Sequence, residues 1–153
     1  MNITKNLNWN SIEEYFKPDG ALRDIYIYDA NIELWNFFLN FVTSNFSFIF
    51  QYLDVERKTL LAYEEIKKFQ DDNPIVLKIL LDKISINCHF FCEDEIELDI
   101  DPKEIDENNY SSLILFIENI GINLNRNVII TDENSKASIF LTYKFLERIF
   151  ILP

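Results

Sequence analysis

The only histidine and both cysteines of this 153-residue chain fall within Cys88-His89-Phe90-Phe91-Cys92. These residue types can ligate a metal or, with a base held against a thiol, act as a nucleophile. In an extended segment the side chains alternate, which sends His89 to the face opposite both thiols and keeps the three from converging on one ion. The same spacing separates the thiols by roughly 13 Å, beyond disulfide reach, so they read as free thiols of a reducing compartment. His89, beside Phe90 and Phe91, fits a hydrogen-bonded structural histidine better than a catalytic base. No metal site is expected here.

A second constellation can be written from Asp54 and Glu65-Ile66-Lys67. In a metal-dependent nuclease the two carboxylates would hold Mg²⁺ and Lys67 would polarise the phosphate. Glu65 to Lys67 reads as the surface of a helix, so this nuclease is the alternative reading. Phosphate loops, dinucleotide loops and serine nucleophile elbows are absent from the sequence. The expectation is a protein without catalytic residues or cofactor.

The third constellation follows directly after Cys92. Nine acids (Glu93, Asp94, Glu95, Glu97, Asp99, Asp101, Glu104, Asp106 and Glu107) and one base (Lys103) place −8 of the formal −12 charge in residues 93–107. From Glu95 to Asp101 acids alternate with Ile96, Leu98 and Ile100, the period of a strand with a carboxylate face and a core face. Residues two apart on a strand project in parallel about 6–7 Å apart, too far for hard-cation ligands at about 2–2.6 Å. Such a row can be a solvated face that discourages edge pairing. Its excess of like charge makes a cation-rich partner the more informative reading. Net negative charge also argues against direct binding to nucleic acid or an anionic membrane.

The elements that must position these residues follow from periodicity and caps. Ser11-Ile-Glu-Glu14 has the form of a capping box opening a short helix that Pro18-Asp19-Gly20 stops. Ala21 to Asp29 alternates as a strand. Asn31 can cap a helix to about Val42, whose stripe of Leu34, Trp35, Phe38, Phe41 and Val42 would pack on a sheet. Phe46 to Leu53 predicts a strand, Asp54 to Thr59 a charged turn, and Leu60 to Asp72 a helix. Ile75 to Leu81, Ile84 to Cys92 and Glu95 to Asp101 form an antiparallel meander closed by Pro102. A helix from Tyr110 to Ile120 is expected to end on a left-handed Gly121. Val128 to Thr131 and Ala137 to Tyr143 are short strands, while Lys144 to Pro153 suits helix or strand equally. The pattern predicts a single α+β domain over residues 1–153, with helices packed on one side of a mainly antiparallel sheet.

Two segments, Gly20-Ala-Leu-Arg-Asp-Ile-Tyr-Ile-Tyr28 with Trp35 downstream, and Asn87-Cys-His-Phe-Phe91 followed by Asp94-Glu-Ile-Glu-Leu-Asp-Ile-Asp-Pro102, resemble a family of small immunity proteins of bacterial polymorphic toxin systems, including the Maf type. Val128-Ile-Ile-Thr-Asp-Glu-Asn134 extends the similarity to roughly residues 20–135. The resemblance implies a cytoplasmic protein that binds the C-terminal domain of a cognate toxin, often a nuclease, and it supplies no catalytic residues. The expected function is therefore stoichiometric, non-covalent neutralisation of a basic nuclease, an RNase by preference. Glu93, Asp94, Glu95, Glu97, Asp99 and Asp101 would face the toxin. A housekeeping protein-interaction module is the other alternative. The start of the chain lacks the apolar core of a secretory signal, and the apolar stretch from Ile32 to Leu53 is broken by Asn36, Asn40 and Thr43-Ser44-Asn45, in keeping with a cytoplasmic protein without membrane contact.

Overall fold

The computed structural model describes residues 2–4, 7–52 and 55–153. Among them the chain runs β1 (Asn2–Thr4), α1 (Trp9–Ile12), β2 (Arg23–Tyr28), α2 (Ile32–Asn45), β3 (Ser47–Tyr52), β4 (Val55–Arg57), α3 (Tyr63–Gln70), β5 (Ile75–Leu81), β6 (Ile84–Cys92), β7 (Glu95–Ile100), α4 (Tyr110–Leu124), β8 (Val128–Asp132), β9 (Ile139–Lys144) and β10 (Ile149–Leu152). The strands form one sheet in the order β1-β10-β9-β8-β2-β7-β6-β5-β3-β4, and every neighbouring pair is antiparallel. Two meanders, β5–β6–β7 and β8–β9–β10, are thus joined edge to edge through β2, which sits mid-sheet. The fold is α+β, as the alternation of strand and helix patterns predicts.

One face of the sheet carries the core. Alternate residues of β5, Ile75, Leu77, Ile79 and Leu81, are buried, and the same holds for Ile84, Ile86, Cys88 and Phe90 of β6. On β2 and β7 the core side is Ile25 and Ile27, and Ile96, Leu98 and Ile100. The helices supply the facing layer. Trp35, Phe38, Leu39 and Val42 of α2 are buried, as are Leu113, Phe116, Ile117, Ile120 and Leu124 of α4, and α2 lies against α3, α4 and β3. Trp35 is the centre of an aromatic cluster, 5.0 Å from the Tyr63 ring and 5.3 Å from that of Phe90.

Several local expectations are met and others are displaced for identifiable reasons. Asn31 caps α2, its side chain accepting from Leu34 N at 2.8 Å, but the helix continues to Asn45. The cap of α1 is Asn8 and not Ser11: Asn8 Oδ1 accepts from Ser11 N at 3.0 Å and from its hydroxyl at 2.9 Å. Glu14 then falls in a 3-10 turn, Glu13–Phe16. Helix α3 begins at Tyr63, three residues later than predicted, because Tyr63 N donates to Asn36 Oδ1 of α2 at 2.9 Å. Asp54 lies outside the described residues, and Val55–Arg57, predicted as part of a turn, is the edge strand β4. The undecided C-terminal stretch forms β10, paired with β9 and β1.

The end of α4 departs from expectation most clearly. Gly121 does not terminate the helix; Asn125, at φ 53, takes the left-handed position. Gly121 is required by packing instead, since a Cβ there would lie 2.5 Å from Cδ1 and 2.8 Å from Cε1 of the Tyr143 ring, and that ring is fully buried. Gly121→Ala is therefore expected to destabilise. Overpacking costs about 1–3 kcal/mol, against a helix-propensity gain of about 1 kcal/mol. In a Tyr143→Leu background the cost should shrink, the Arg126 carbonyl oxygen at 3.2 Å remaining as the close neighbour; urea unfolding of the three variants beside wild type measures it.

Candidate functional site: the acidic face of the central strands

Opposite the helices, the sheet displays the other half of each alternation. Strand register brings Asp24 beside Asp99, Tyr26 beside Glu97 and Tyr28 beside Glu95 across β2 and β7. On the far side of β7, Asn87 pairs with Asp99 and His89 with Glu97. The central strands thus place four carboxylates, two tyrosines, an asparagine and the single histidine on one surface. Between His89 and Cys92 the β6–β7 register shifts by a bulge.

The six predicted partner-binding residues do not share one environment. Glu93 and Asp94 are exposed in the β6–β7 turn. The turn is pinned from below: the Trp35 indole N–H donates to the carbonyls of Cys92 and Glu93 at 3.2 and 3.0 Å, and Ala30 N donates to that of Asp94 at 2.9 Å. Glu97 is half-buried. Asp99 is buried, with Oδ2 2.5 Å from His89 Nε2 and Oδ1 accepting from Asn87 Nδ2 at 2.9 Å. Asp101 has left the row and caps the 3-10 turn Pro102–Glu104, accepting from Lys103 N at 2.9 Å. The alternation places Glu95, Glu97 and Asp99 on one face, and of the six only Glu93 and Asp94 are fully exposed to an approaching molecule.

Glu95 has a different neighbour. The β8–β9 loop crosses the face, bringing Lys136 Nζ to 2.6 Å from Glu95 Oε1 and over the rings of Tyr26 and Tyr28, at 5.2 and 5.8 Å from their centroids. Asn134 N donates to Asp24 Oδ2 at 2.7 Å and the Tyr26 hydroxyl donates to the same oxygen at 3.1 Å. The paired rings are nearly parallel, 6.0 Å apart. Asp24, the two tyrosines and Lys136 were not among the sequence-predicted residues. The alternation of Asp24, Tyr26 and Tyr28 along β2 carries a signal for three of them; nothing local marks Lys136.

Electrostatics of the face follow from crowding. Burial, followed by the Asp24 carboxylate, raises the pKa of Glu97 above the ordinary carboxylate value. The hydrogen bond to Asp99 raises that of His89. Burial, with Asp24 and Glu97 nearby, pushes the Tyr26 phenol far up. Both Glu97 and His89 bind protons more tightly folded than unfolded, so each favours the folded state most at low pH. The His89 contribution is complete below its ordinary value of 6.5 and is lost as pH rises through the raised value. That of Glu97 is complete below 4.5 and fades likewise. We expect the midpoint of urea unfolding to fall as pH rises from 6 to 8, and His89→Gln to flatten that slope.

The remaining candidates stay apart. The Cys88 thiol is buried on the core side, where burial raises its pKa well above the ordinary value, whereas Cys92 is exposed. Glu65 Oε1 accepts from Ala62 N at 3.3 Å, and Lys67 Nζ donates to the Phe90 carbonyl at 3.0 Å. Each is thus engaged with backbone, away from a shared ligand. Among the described residues no group of three or more His, Cys, Asp or Glu side chains is arranged to hold a metal ion, and no helix is long and apolar enough to cross a membrane. Comparison with protein-family models, with curated proteins and with solved structures gives no significant match.

Proposed function

We propose that this chain is an immunity protein that neutralises a basic toxin domain, an RNase by preference, by stoichiometric binding without catalysis. The observation that carries the reading is the concentration of −8 formal charge in residues 93–107. This run supplies β7 and the two turns that flank it. A basic nuclease must attract polyanionic substrate, and an acidic surface competes for the same cations. The segments that carry the family resemblance support it as well, since they fall on β2, β6 and β7, the strands that build the acidic face, and on β8 beside β2.

In this reading the exposed Glu93 and Asp94 steer the encounter, and Glu97 and Asp99 behind them contribute field more than contact. Acidic steering can raise association rates to about 10⁸ M⁻¹s⁻¹ at low salt. The test is a titration of the C-terminal domain encoded by the adjacent reading frame, the proposed toxin, with purified protein. Inhibition should saturate at one inhibitor per toxin. Glu93→Lys combined with Asp94→Lys should slow association by about tenfold at low ionic strength and converge with wild type at high salt. An unchanged rate at low salt would remove the turn from the encounter surface.

A further inference from the structure

The contact between Lys136 and the central strands has the construction of a receptor with a replaceable occupant. Glu95 Oε1 is buried and, among the described residues, has no hydrogen-bond donor other than the Lys136 ammonium 2.6 Å away. The Glu95 side chain is only 11% exposed, whereas that of Lys136 is 56% exposed. With Lys136 in place the carboxylate is largely covered, whereas the side chain that supplies the cation remains more than half open to solvent. A buried carboxylate left alone is unfavourable, so the position selects a positive charge from whatever source can reach it.

Its walls select the kind of charge. Tyr26 and Tyr28 present parallel rings beneath the ammonium, an arrangement that favours a cation able to lie against π-faces, and a guanidinium does so better than an ammonium. Tyr26 is buried and fixed through its hydroxyl to Asp24, while Tyr28 is 39% exposed and opens the cage to solvent. The occupant comes from a loop between two strands, held to the face otherwise by Asn134 N on Asp24. The acceptors are thus preorganised on β2 and β7, and the cation is contributed by a loop.

We propose that Tyr26, Tyr28 and Glu95 form a receptor for an arginine side chain of a basic protein partner, and that Lys136 occupies it in the free protein. This rests on the inhibitor reading for the partner's character. Binding then exchanges one cation for another: the partner's arginine enters on Glu95 and the tyrosines, and Lys136 swings out into solvent. Because the buried carboxylate is compensated both before and after, the exchange avoids the desolvation step that weakens most buried ion pairs. It also confers selectivity, since an uncharged side chain entering the cage would leave Glu95 unmatched.

The test uses the full chain and acetyl-argininamide as probe, followed by amide shifts in NMR. Lys136→Ala vacates the cage, and Lys136→Met does so while keeping an apolar stem over the rings. At least one of these should show saturable shifts at Tyr28 and Glu95 with affinity about five- to tenfold above wild type. Adding Glu95→Gln should abolish them. Absence of saturable shifts there in both folded variants, or equal affinity in wild type, overturns the receptor. That failure beside intact neutralisation of the toxin would leave the inhibitor reading standing with its contact elsewhere. A functioning cage without neutralisation would do the reverse.

Discussion

Replacing Trp35 with alanine is expected to lower the unfolding free energy by about 3–5 kcal/mol, the largest single loss the structure predicts. Trp35 is fully buried, so truncation removes its contacts with Phe38, Tyr63 and Phe90 together. It also removes the indole N–H that donates to two consecutive carbonyls of the β6–β7 turn. Trp35→Phe separates the two effects, because it keeps most of the apolar volume and leaves both carbonyls without that donor. Its cost should be about 1–3 kcal/mol. Hydrogen exchange should localise the difference: the Ala30 amide, bonded to the Asp94 carbonyl, should lose protection in Trp35→Phe before the core amides of β5 do. The consequence reaches the proposed encounter surface, since the turn so loosened is the one that presents Glu93 and Asp94.

Arg23 is the second position with a large expected effect. Its guanidinium is buried and donates to the carbonyls of Tyr15 at 2.8 Å, Lys17 at 3.0 Å and Leu22 at 3.1 Å, besides its pairing with Asp19. It gathers the chain between α1 and β2 onto the end of the central strand. Arg23→Ala leaves these carbonyls without a charged donor and should cost roughly 2–4 kcal/mol. Arg23→Lys should recover only part, because a single ammonium cannot span the positions that a planar fork reaches. Asp19→Asn should matter little by comparison, since Asp19 is exposed. Thermal or urea unfolding of the three variants orders them. A loss for Asp19→Asn equal to that of Arg23→Ala would mean that the ion pair, and not the carbonyl cluster, holds the segment.

The central meander was legible because its residues obey one simple rule. Strands β5, β6 and β7 alternate apolar and polar residues cleanly and their connections are short, so the period of two is visible even though Asp99 is buried on the polar side. Asn31 was legible as a cap for a similarly local reason, a side-chain oxygen within reach of an amide three residues on. What local pattern cannot carry is a tertiary demand. Gly121 has the composition of a helix end, yet Tyr143 of β9 packs against it and the helix passes through. Tyr63 starts α3 because Asn36 of another helix waits for its amide. The four residues of β10 offer too short a window to show a period at all.

The acidic face shows the same division. Alternation along β7 gives the side on which Glu95, Glu97 and Asp99 lie, but the state of each carboxylate is set by a neighbour remote in sequence. Asp99 is taken up by His89 and Asn87, Glu97 is crowded by Asp24, and Glu95 is matched by Lys136 from the β8–β9 loop. Read from sequence, the row is six equivalent charges. In the fold it becomes two exposed acids on a pinned turn, a histidine–aspartate pair, a carboxylate with raised proton affinity, a caged ion pair and a cap.

The most direct measurement of the central claim is growth of cells expressing the C-terminal domain of the protein encoded by the adjacent reading frame, the proposed toxin, with and without co-expression of the chain. Arrest by the toxin alone, relieved in full by the wild-type chain, with the two proteins recovered as an equimolar complex, is the predicted result. Continued arrest despite folded, abundant protein would contradict the account.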